Sequence, residues 1–264
     1  VKVGSGLIMY SFMNDYSEGA HPRVLELLMK YNFEQNSGYG EDIHSAKAKE
    51  YIKELLQRED VDIHFIPGGT HTNLLVISSF LRPYQCVISA DTGHINVHET
   101  GAIEATGHKV VTAPSKDGKL TPDAIQAVLD YHTNEHMVQP KMVYISNSTE
   151  LGTIYTKDEL TAIHNICRDK GLILYLDGAR IGSALTCKLN DMKLKDIAEL
   201  ADVFYIGGTK NGALFAEALV ICREDLKKDF RYLIKQRGAL LAKGFILGIQ
   251  FEALFQDDLF FELA

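Results

Sequence analysis

The chain has 264 residues, 46% hydrophobic and 23% charged, which supplies enough apolar material for one large domain with a buried core. A net charge of −8 argues against nucleic acid or an anionic membrane surface as the main partner, and no apolar run reaches membrane-spanning length; the longest, over 213–221, is broken by Glu217. The four cysteines (Cys86, Cys167, Cys187 and Cys222) are far apart and form no Cys-x-x-Cys pair, which points to free thiols in a reducing, cytoplasmic compartment.

At the amino end, residues 1–8 lack the long apolar core and cleavage site of a signal peptide. A polar loop over 14–20 leads to His21-Pro22-Arg23, which opens a helix whose apolar residues Val24, Leu25, Leu27, Leu28 and Tyr31 recur at helical spacing. After a second loop over 36–42, Ile43, Ala46, Ile52, Leu55 and Leu56 mark one face of an amphipathic helix. From residue 62 onward, strands and helices alternate. A strand over 62–66 is ended by Pro67-Gly68-Gly69 and followed by a helix over 70–81. A strand over 86–89 precedes a helix over 94–105, and a short strand covers 110–112. Thr121-Pro122 starts a helix running to about residue 131, with a capping residue and proline at the first helical position. A strand over 142–145 follows, and Thr156 with Glu159 fits a capping box for a helix reaching about residue 170. Further strands cover 172–176, 203–206 and 218–222, and 240–263 reads as one long helix. Continuous apolar strands separated mostly by helices predict an α/β fold: a mostly parallel seven-stranded sheet with helices on both faces.

Polar residues collect just beyond the carboxyl ends of these strands, where open α/β sheets bind their ligands. Gly68-Gly69-Thr70-His71-Thr72-Asn73 opens a helix and offers backbone N–H groups and a helix dipole to a phosphate. It is neither Gly-x-Gly-x-x-Gly nor a P-loop, which ranks an NAD-binding oxidoreductase or an ATP site low. His94 follows the next strand and can stack on a flat cofactor or act as a base. Its four-residue spacing to His98 lacks the further ligands zinc needs, so no metal is expected. Asn147-Ser148-Thr149-Glu150 adds hydrogen-bonding side chains at the same edge, without the Gly-x-Ser-x-Gly of a hydrolase. In Asp177-Gly178-Ala179-Arg180, the aspartate can hold a protonated ring nitrogen and the arginine can grip a carboxylate or phosphate through two bonds. Gly207-Gly208-Thr209-Lys210-Asn211-Gly212 holds a lysine in a glycine-rich turn, where desolvation lowers its pKa and frees its amine to attack a carbonyl. Each of these stretches alone also reads as ordinary structure: a strand–helix turn, a loop ion pair, a surface lysine. Together they meet the four requirements of pyridoxal phosphate (PLP): a phosphate turn, a stacking group, an acid for the ring nitrogen and a lysine for the aldehyde.

Ile66-Pro67-Gly68-Gly69-Thr70-His71-Thr72-Asn73, Gly93-His94-Ile95-Asn96-Val97-His98-Glu99-Thr100-Gly101-Ala102, Leu176-Asp177-Gly178-Ala179-Arg180 and Gly208-Thr209-Lys210-Asn211-Gly212 resemble the threonine aldolase group of the β-eliminating lyase family. These are PLP enzymes of the aspartate aminotransferase fold, fold type I, and the resemblance runs from about Tyr10 to the end of the chain. It implies aldol cleavage of a β-hydroxy-α-amino acid, L-threonine or L-allo-threonine, to glycine and acetaldehyde. Other PLP reactions (β-elimination, racemisation) and a non-catalytic PLP-fold protein stand as the alternatives. The resemblance implies that Lys210, beside Thr209, bonds the cofactor aldehyde and that Asp177 holds the ring nitrogen. By the same resemblance His94 stacks on the ring, and Gly69, Thr70 and His71 bind the phosphate. Arg180 would hold the substrate carboxylate, and Asn14 would lie near the substrate where the family usually has serine. His136 matches a loop histidine near the substrate, and it, His94 or a water would serve as the general base. The 234–238 stretch and Lys243 match a segment that reaches a neighbouring subunit, implying a homodimer or homotetramer with shared active sites. The implied layout is an N-terminal arm over 1–20, a PLP-binding large domain over 21–239, and a helix over 240–264 leading into a small C-terminal domain that is missing after Ala264. Ser146-Asn147-Ser148-Thr149-Glu150 stands where low-specificity members more often have Glu-Asn-Thr-His, a departure that bears on substrate.

Overall fold

One mixed sheet organises the chain in a computed structural model that describes residues 11–264. Its strands are β1 (Asp62–Ile66), β2 (Gln85–Ala90), β3 (Lys109–Ala113), β4 (Gln139–Ser146), β5 (Ile173–Asp177), β6 (Val203–Gly207) and β7 (Glu217–Ile221), in the order β1-β7-β6-β5-β4-β2-β3. The pairings β3–β2, β2–β4, β4–β5 and β5–β6 are parallel, whereas β7 lies antiparallel to both β6 and β1. The reversal follows from chain length. Only a short loop joins β6 to β7, too short for the crossover that a parallel neighbour needs. The seven-stranded, mostly parallel sheet read from the sequence is therefore present, with boundaries moved by up to three residues.

The helices are α1 (Pro22–Lys30), α2 (Ile43–Leu56), α3 (Gly69–Phe80), α4 (His94–Val97), α5 (Pro122–Tyr131), α6 (Lys157–Lys170), α7 (Ile181–Thr186), α8 (Leu194–Leu200), α9 (Phe230–Gln236), α10 (Phe245–Phe255) and α11 (Leu259–Leu263). Capping side chains set several starts. Asp42 accepts the Ser45 N–H at 2.8 Å, Thr121 caps α5, and Thr156 and Glu159 cap α6 reciprocally. Both faces of the sheet are covered. Val24, Ile52, Ile125, Ile163, Ile197 and Leu247 from α1, α2, α5, α6, α8 and α10 pack with Val143, Leu174 and Phe204 on one face. Leu75, Ile95 and Phe230 from α3, α4 and α9 pack with Tyr144, Tyr175 and Tyr205 on the other. The period-two alternation of strands sorts the side chains between these two cores.

Three expectations need correction. The helix read over 94–105 is only α4, followed by turns and a 3₁₀ segment over Glu104–Thr106; Thr100 and Gly101 both have positive φ, 52° and 71°, which no helix accommodates. The long helix read over 240–263 is instead α10 and α11, with Asp257 and Asp258 between them at φ 58°. The helices α7, α8 and α9 were absent from the sequence reading because each is only six or seven residues long, too short to display a periodic face. The reading of residues 1–8 and the first half of the N-terminal arm lie outside the described residues.

Candidate active site

The ends of β1, β5 and β6 and the start of β7 meet at one edge of the sheet. There a cavity of about 240 Å³ opens, bounded by Gly68, Gly69 and Thr70 on one side and by His94, Asp177, Arg180 and Lys210 on the others.

Asp177 is the last residue of β5 and shares its face with Tyr175, two positions earlier. Its Oδ1 accepts from the Tyr205 hydroxyl at 2.6 Å and the Ala179 N–H at 2.9 Å. Its Oδ2 accepts from the Tyr144 hydroxyl at 2.6 Å and the Asn73 amide at 3.2 Å. Burial pushes the Tyr144 and Tyr205 phenols well above their ordinary range, so both keep their protons and remain donors. The backbone beyond Asp177 runs so close to β6 that a Cβ at Gly178 would lie 1.9 Å from the Tyr205 carbonyl oxygen; only glycine fits.

His94 begins α4. Its backbone N–H donates to Glu150 Oε1 at 3.0 Å, and its Nδ1 lies 2.8 Å from Glu99 Oε1. The Glu99 hydrogen bond raises the pKa of His94, outweighing the opposing effect of burial. The buried Asn73 amide on α3 donates both to Glu99 at 2.6 Å and to Asp177 at 3.2 Å, linking the imidazole's partner to the ring-nitrogen candidate. The His94 and His98 rings stand 5.5 Å apart, and no group of three metal-ligating side chains occurs among the described residues.

Lys210 lies in the turn after β6, its side chain 16% exposed. Burial and the positive charge of Arg180 lower its pKa, against the pull of Asp15, Asp177 and Glu217. The two residues before it are anchored by Glu217: Oε2 accepts the Gly208 N–H at 3.0 Å and Oε1 accepts the Thr209 hydroxyl at 2.6 Å. Burial pushes the Glu217 carboxyl up to about 8. After it, the Asn211 amide donates to the Phe260 carbonyl at 2.7 Å, and Gly212 takes φ +92°. Arg180 holds Asp15 of the N-terminal arm through Nε and Nη2, and Asp15 Oδ1 also stands 3.9 Å from Lys210 Nζ. Burial raises the Asp15 pKa, but Arg180 and Lys210 outweigh it and hold the group below its ordinary value.

The remaining sequence-predicted residues divide. Gly69 and Thr70 border the cavity at the start of α3; His71 does not, and its Nε2 bonds the Arg237 carbonyl at 3.0 Å. Asn14 borders the adjoining cleft of about 730 Å³ on the arm side of Lys210, where its Oδ1 accepts from Tyr16 N–H and the Ser17 hydroxyl, both at 2.9 Å. His136 sits on the exposed loop before β4, outside the residues that border the cavity, and its N–H donates to Asn134 Oδ1 at 3.0 Å.

This residue set suits pyridoxal phosphate. Gly68 at the N-cap of α3 supplies no capping side chain, so among the described residues the first-turn N–H groups at the cavity keep the partial positive charge that a phosphate requires. A Cβ built on Gly68 meets nothing within 4 Å, so the backbone there stands clear of neighbouring side chains. Asp177 supplies an acceptor for a ring N–H⁺, His94 a flat face, and Lys210 an amine of lowered pKa, all on one cavity. The sequence reading missed Glu217, Glu99, Tyr144 and Tyr205. Glu217 had left a visible signal, as a carboxyl inside an apolar strand; the tyrosines had left none, since they read as ordinary strand residues.

A family model described as β-eliminating lyase matches residues 17–253. The chain belongs to the β-eliminating lyase family. Among its relatives, the low specificity L-threonine aldolase of Pseudomonas aeruginosa is 34% identical over 252 residues, covering 94% of this chain and 72% of the relative. The solved structure of Leishmania major threonine aldolase superposes with a TM-score of 0.95 at 59% identity, over 96% of this chain and 74% of that one. Cystalysin from Treponema denticola, whose crystal structure contains pyridoxal 5′-phosphate, shares the fold at a TM-score of 0.70 and 19% identity, over 90% of this chain and 62% of that one.

Proposed function

We propose that this chain is a PLP-dependent carbon–carbon lyase that cleaves a β-hydroxy-α-amino acid, L-threonine or L-allo-threonine, to glycine and acetaldehyde. The observation that carries the chemistry is the convergence of Lys210, Asp177, His94 and the uncapped start of α3 on one cavity. The choice of aldol cleavage among PLP reactions rests on the similarity to threonine aldolases.

In this reading Gly69 and Thr70 take the cofactor phosphate and Asp177 its ring nitrogen, with His94 over the ring. PLP, when bound, supplies the carbonyl that captures the substrate amine and the ring that accepts electrons from its α-carbon. The chain's own residues do the rest. Lys210, its pKa lowered by burial and Arg180, provides the amine that would hold the cofactor and take up a proton when it is displaced. Arg180 exchanges the Asp15 carboxylate for the carboxylate of the substrate, so the arm must yield as substrate enters. His94, whose proton affinity Glu99 raises, is the candidate base for the β-hydroxyl; His136 stands outside the cavity in this chain and reaches it only if a neighbouring subunit or a loop movement brings it in. Asn14, beside Lys210 in the adjoining cleft, is placed to contact the substrate.

We also infer a homodimer or homotetramer in the cytoplasm. Exposed apolar side chains, with Phe33 at 94%, Met29 at 78% and Tyr232 at 75% exposure, support the association, and free cysteines support a reducing compartment. The test of function is product analysis. Protein loaded with PLP should convert L-threonine to equimolar glycine and acetaldehyde; pyruvate and ammonia from serine or cysteine, with no glycine from threonine, would replace this reading with β-elimination.

A further inference from the structure

Glu217 is a buried carboxyl group at the cavity that the reaction as derived does not use. It is 3% exposed and opens β7, the strand that runs against its neighbours. That reversal places the first residue of β7, rather than its last, at the edge where the cavity lies. Register sets it opposite Gly207 on β6 and opposite Ile66 on β1, between the turn that carries Lys210 and the start of α3.

Burying a carboxyl group here is costly, and a side chain needed only to fill space would be apolar. Both of its oxygens are spent on the two residues immediately before Lys210, Gly208 through its N–H and Thr209 through its hydroxyl. The Thr209 oxygen in turn accepts the Ala216 N–H at 3.2 Å, closing the loop onto the residue before Glu217. The Gly208 N–H is shared with the Ala216 carbonyl at 2.9 Å, and a side chain there would not fit, since a Cβ would lie 2.7 Å from that oxygen. The turn is therefore clamped at two points, and the lysine projects from the end of the clamp into the cavity.

We propose that Glu217 is a positioning residue for Lys210, holding the Gly208–Thr209 turn so that the lysine amine meets the cofactor aldehyde. The proposal rests on the reading of Lys210 as the covalent anchor. The bond in question forms by condensation: the amine nitrogen joins the aldehyde carbon, and the carbonyl oxygen leaves as water with the two amine protons. The bridge acts through hydrogen-bond geometry rather than charge. A carboxyl raised to about 8 is largely protonated at neutral pH, so glutamine can keep both contacts: its oxygen accepts from Gly208, and its amide donates to the Thr209 oxygen once that hydroxyl turns its own proton away.

The experiment compares full-length wild-type protein, Glu217→Ala and Glu217→Gln after cofactor removal. Two quantities are read: the rate at which added PLP becomes covalently held, followed by its absorption, and the affinity for pyridoxamine phosphate, which has no aldehyde and cannot bond a lysine. The expected result is capture slowed at least fivefold in Glu217→Ala with a smaller change in pyridoxamine phosphate affinity, and capture restored towards the wild-type rate in Glu217→Gln. A slowing below fivefold, an equal loss of pyridoxamine phosphate affinity, or a glutamine variant as slow as alanine overturns the proposal. Should Glu217→Ala fail to fold, Thr209→Val removes one end of the bridge and carries the same test. Wild-type protein that captures no PLP would instead sink the reading of Lys210 itself.

Discussion

Replacing Glu217 by glutamine should change how the stability of the cofactor-free protein depends on pH. Burial raises the Glu217 carboxyl from an ordinary 4.5 to about 8. The Gly208 and Thr209 hydrogen bonds pull the other way, Asp177 adds to the rise, Lys210 opposes it, and the Tyr175 and Tyr205 phenols facing it stay protonated. The sign follows from proton counting. Between pH 4.5 and about 8 the native state keeps the proton while the unfolded chain has lost it, so stability falls as pH rises through that window and levels off above it. Each pH unit removes about 1.4 kcal/mol, so from pH 5 to pH 8 the loss is on the order of 4 kcal/mol, a large part of the 5–15 kcal/mol that typically holds a domain together. Glutamine fills the same space, bonds the same partners and does not titrate. Urea denaturation of both proteins at pH 5, 6, 7, 8 and 9 isolates the effect, because titrating groups that do not interact with Glu217 cancel in the difference. The variant should gain steadily on the wild type up to about pH 8. Two curves that stay parallel to within ~0.5 kcal/mol across the range would refute a buried, proton-holding Glu217.

Lys210→Ala should abolish covalent PLP retention and glycine formation while leaving the far-ultraviolet circular dichroism unchanged; retained covalent cofactor would show that another lysine is used. Asp177→Asn should still bind PLP but turn over at least about 100-fold more slowly, since a neutral amide no longer keeps the ring nitrogen protonated; near-normal turnover would remove that role. Glu99→Gln should lower the pKa of His94, whose rise comes first from the Glu99 hydrogen bond, and an imidazole titration followed by NMR would contradict this if it did not move. Gly178→Ala would place a Cβ 1.9 Å from the Tyr205 carbonyl oxygen. Separating β5 from β6 to make room should cost on the order of 3 kcal/mol and lower Tm by about 6 °C or more; a change under about 1 °C would show that the strands have slack.

Much of the fold was legible because the strands are continuous apolar runs punctuated by glycine, proline and capping residues, as at Pro67-Gly68-Gly69 and Thr121-Pro122. Local chemistry failed where long-range structure decides. Gln256-Asp257-Asp258 marks the break between α10 and α11 only weakly: aspartate tolerates positive φ, but the apolar runs on both sides read as one helix. The site was legible where residues from parallel strands end at the shared edge, as with Asp177 and Lys210. Glu217 escaped because it lies on the antiparallel strand, so its place at that edge depends on a reversal of direction that no local pattern carries. Tyr144 and Tyr205 escaped because a strand tyrosine is identified as a donor only once its hydroxyl is seen to reach Asp177. Asp15 escaped because its partner Arg180 is 165 positions away.

In the proposed function, the groups gathered at the carboxyl edge make Lys210 the covalent anchor for PLP. Borohydride reduction of PLP-loaded protein, followed by digestion and mass spectrometry, tests it directly. The expected result is a pyridoxyl phosphate mass on the peptide containing Lys210 and on no other lysine; modification of a different lysine, or none after saturation with PLP, would rule out Lys210 as the anchor.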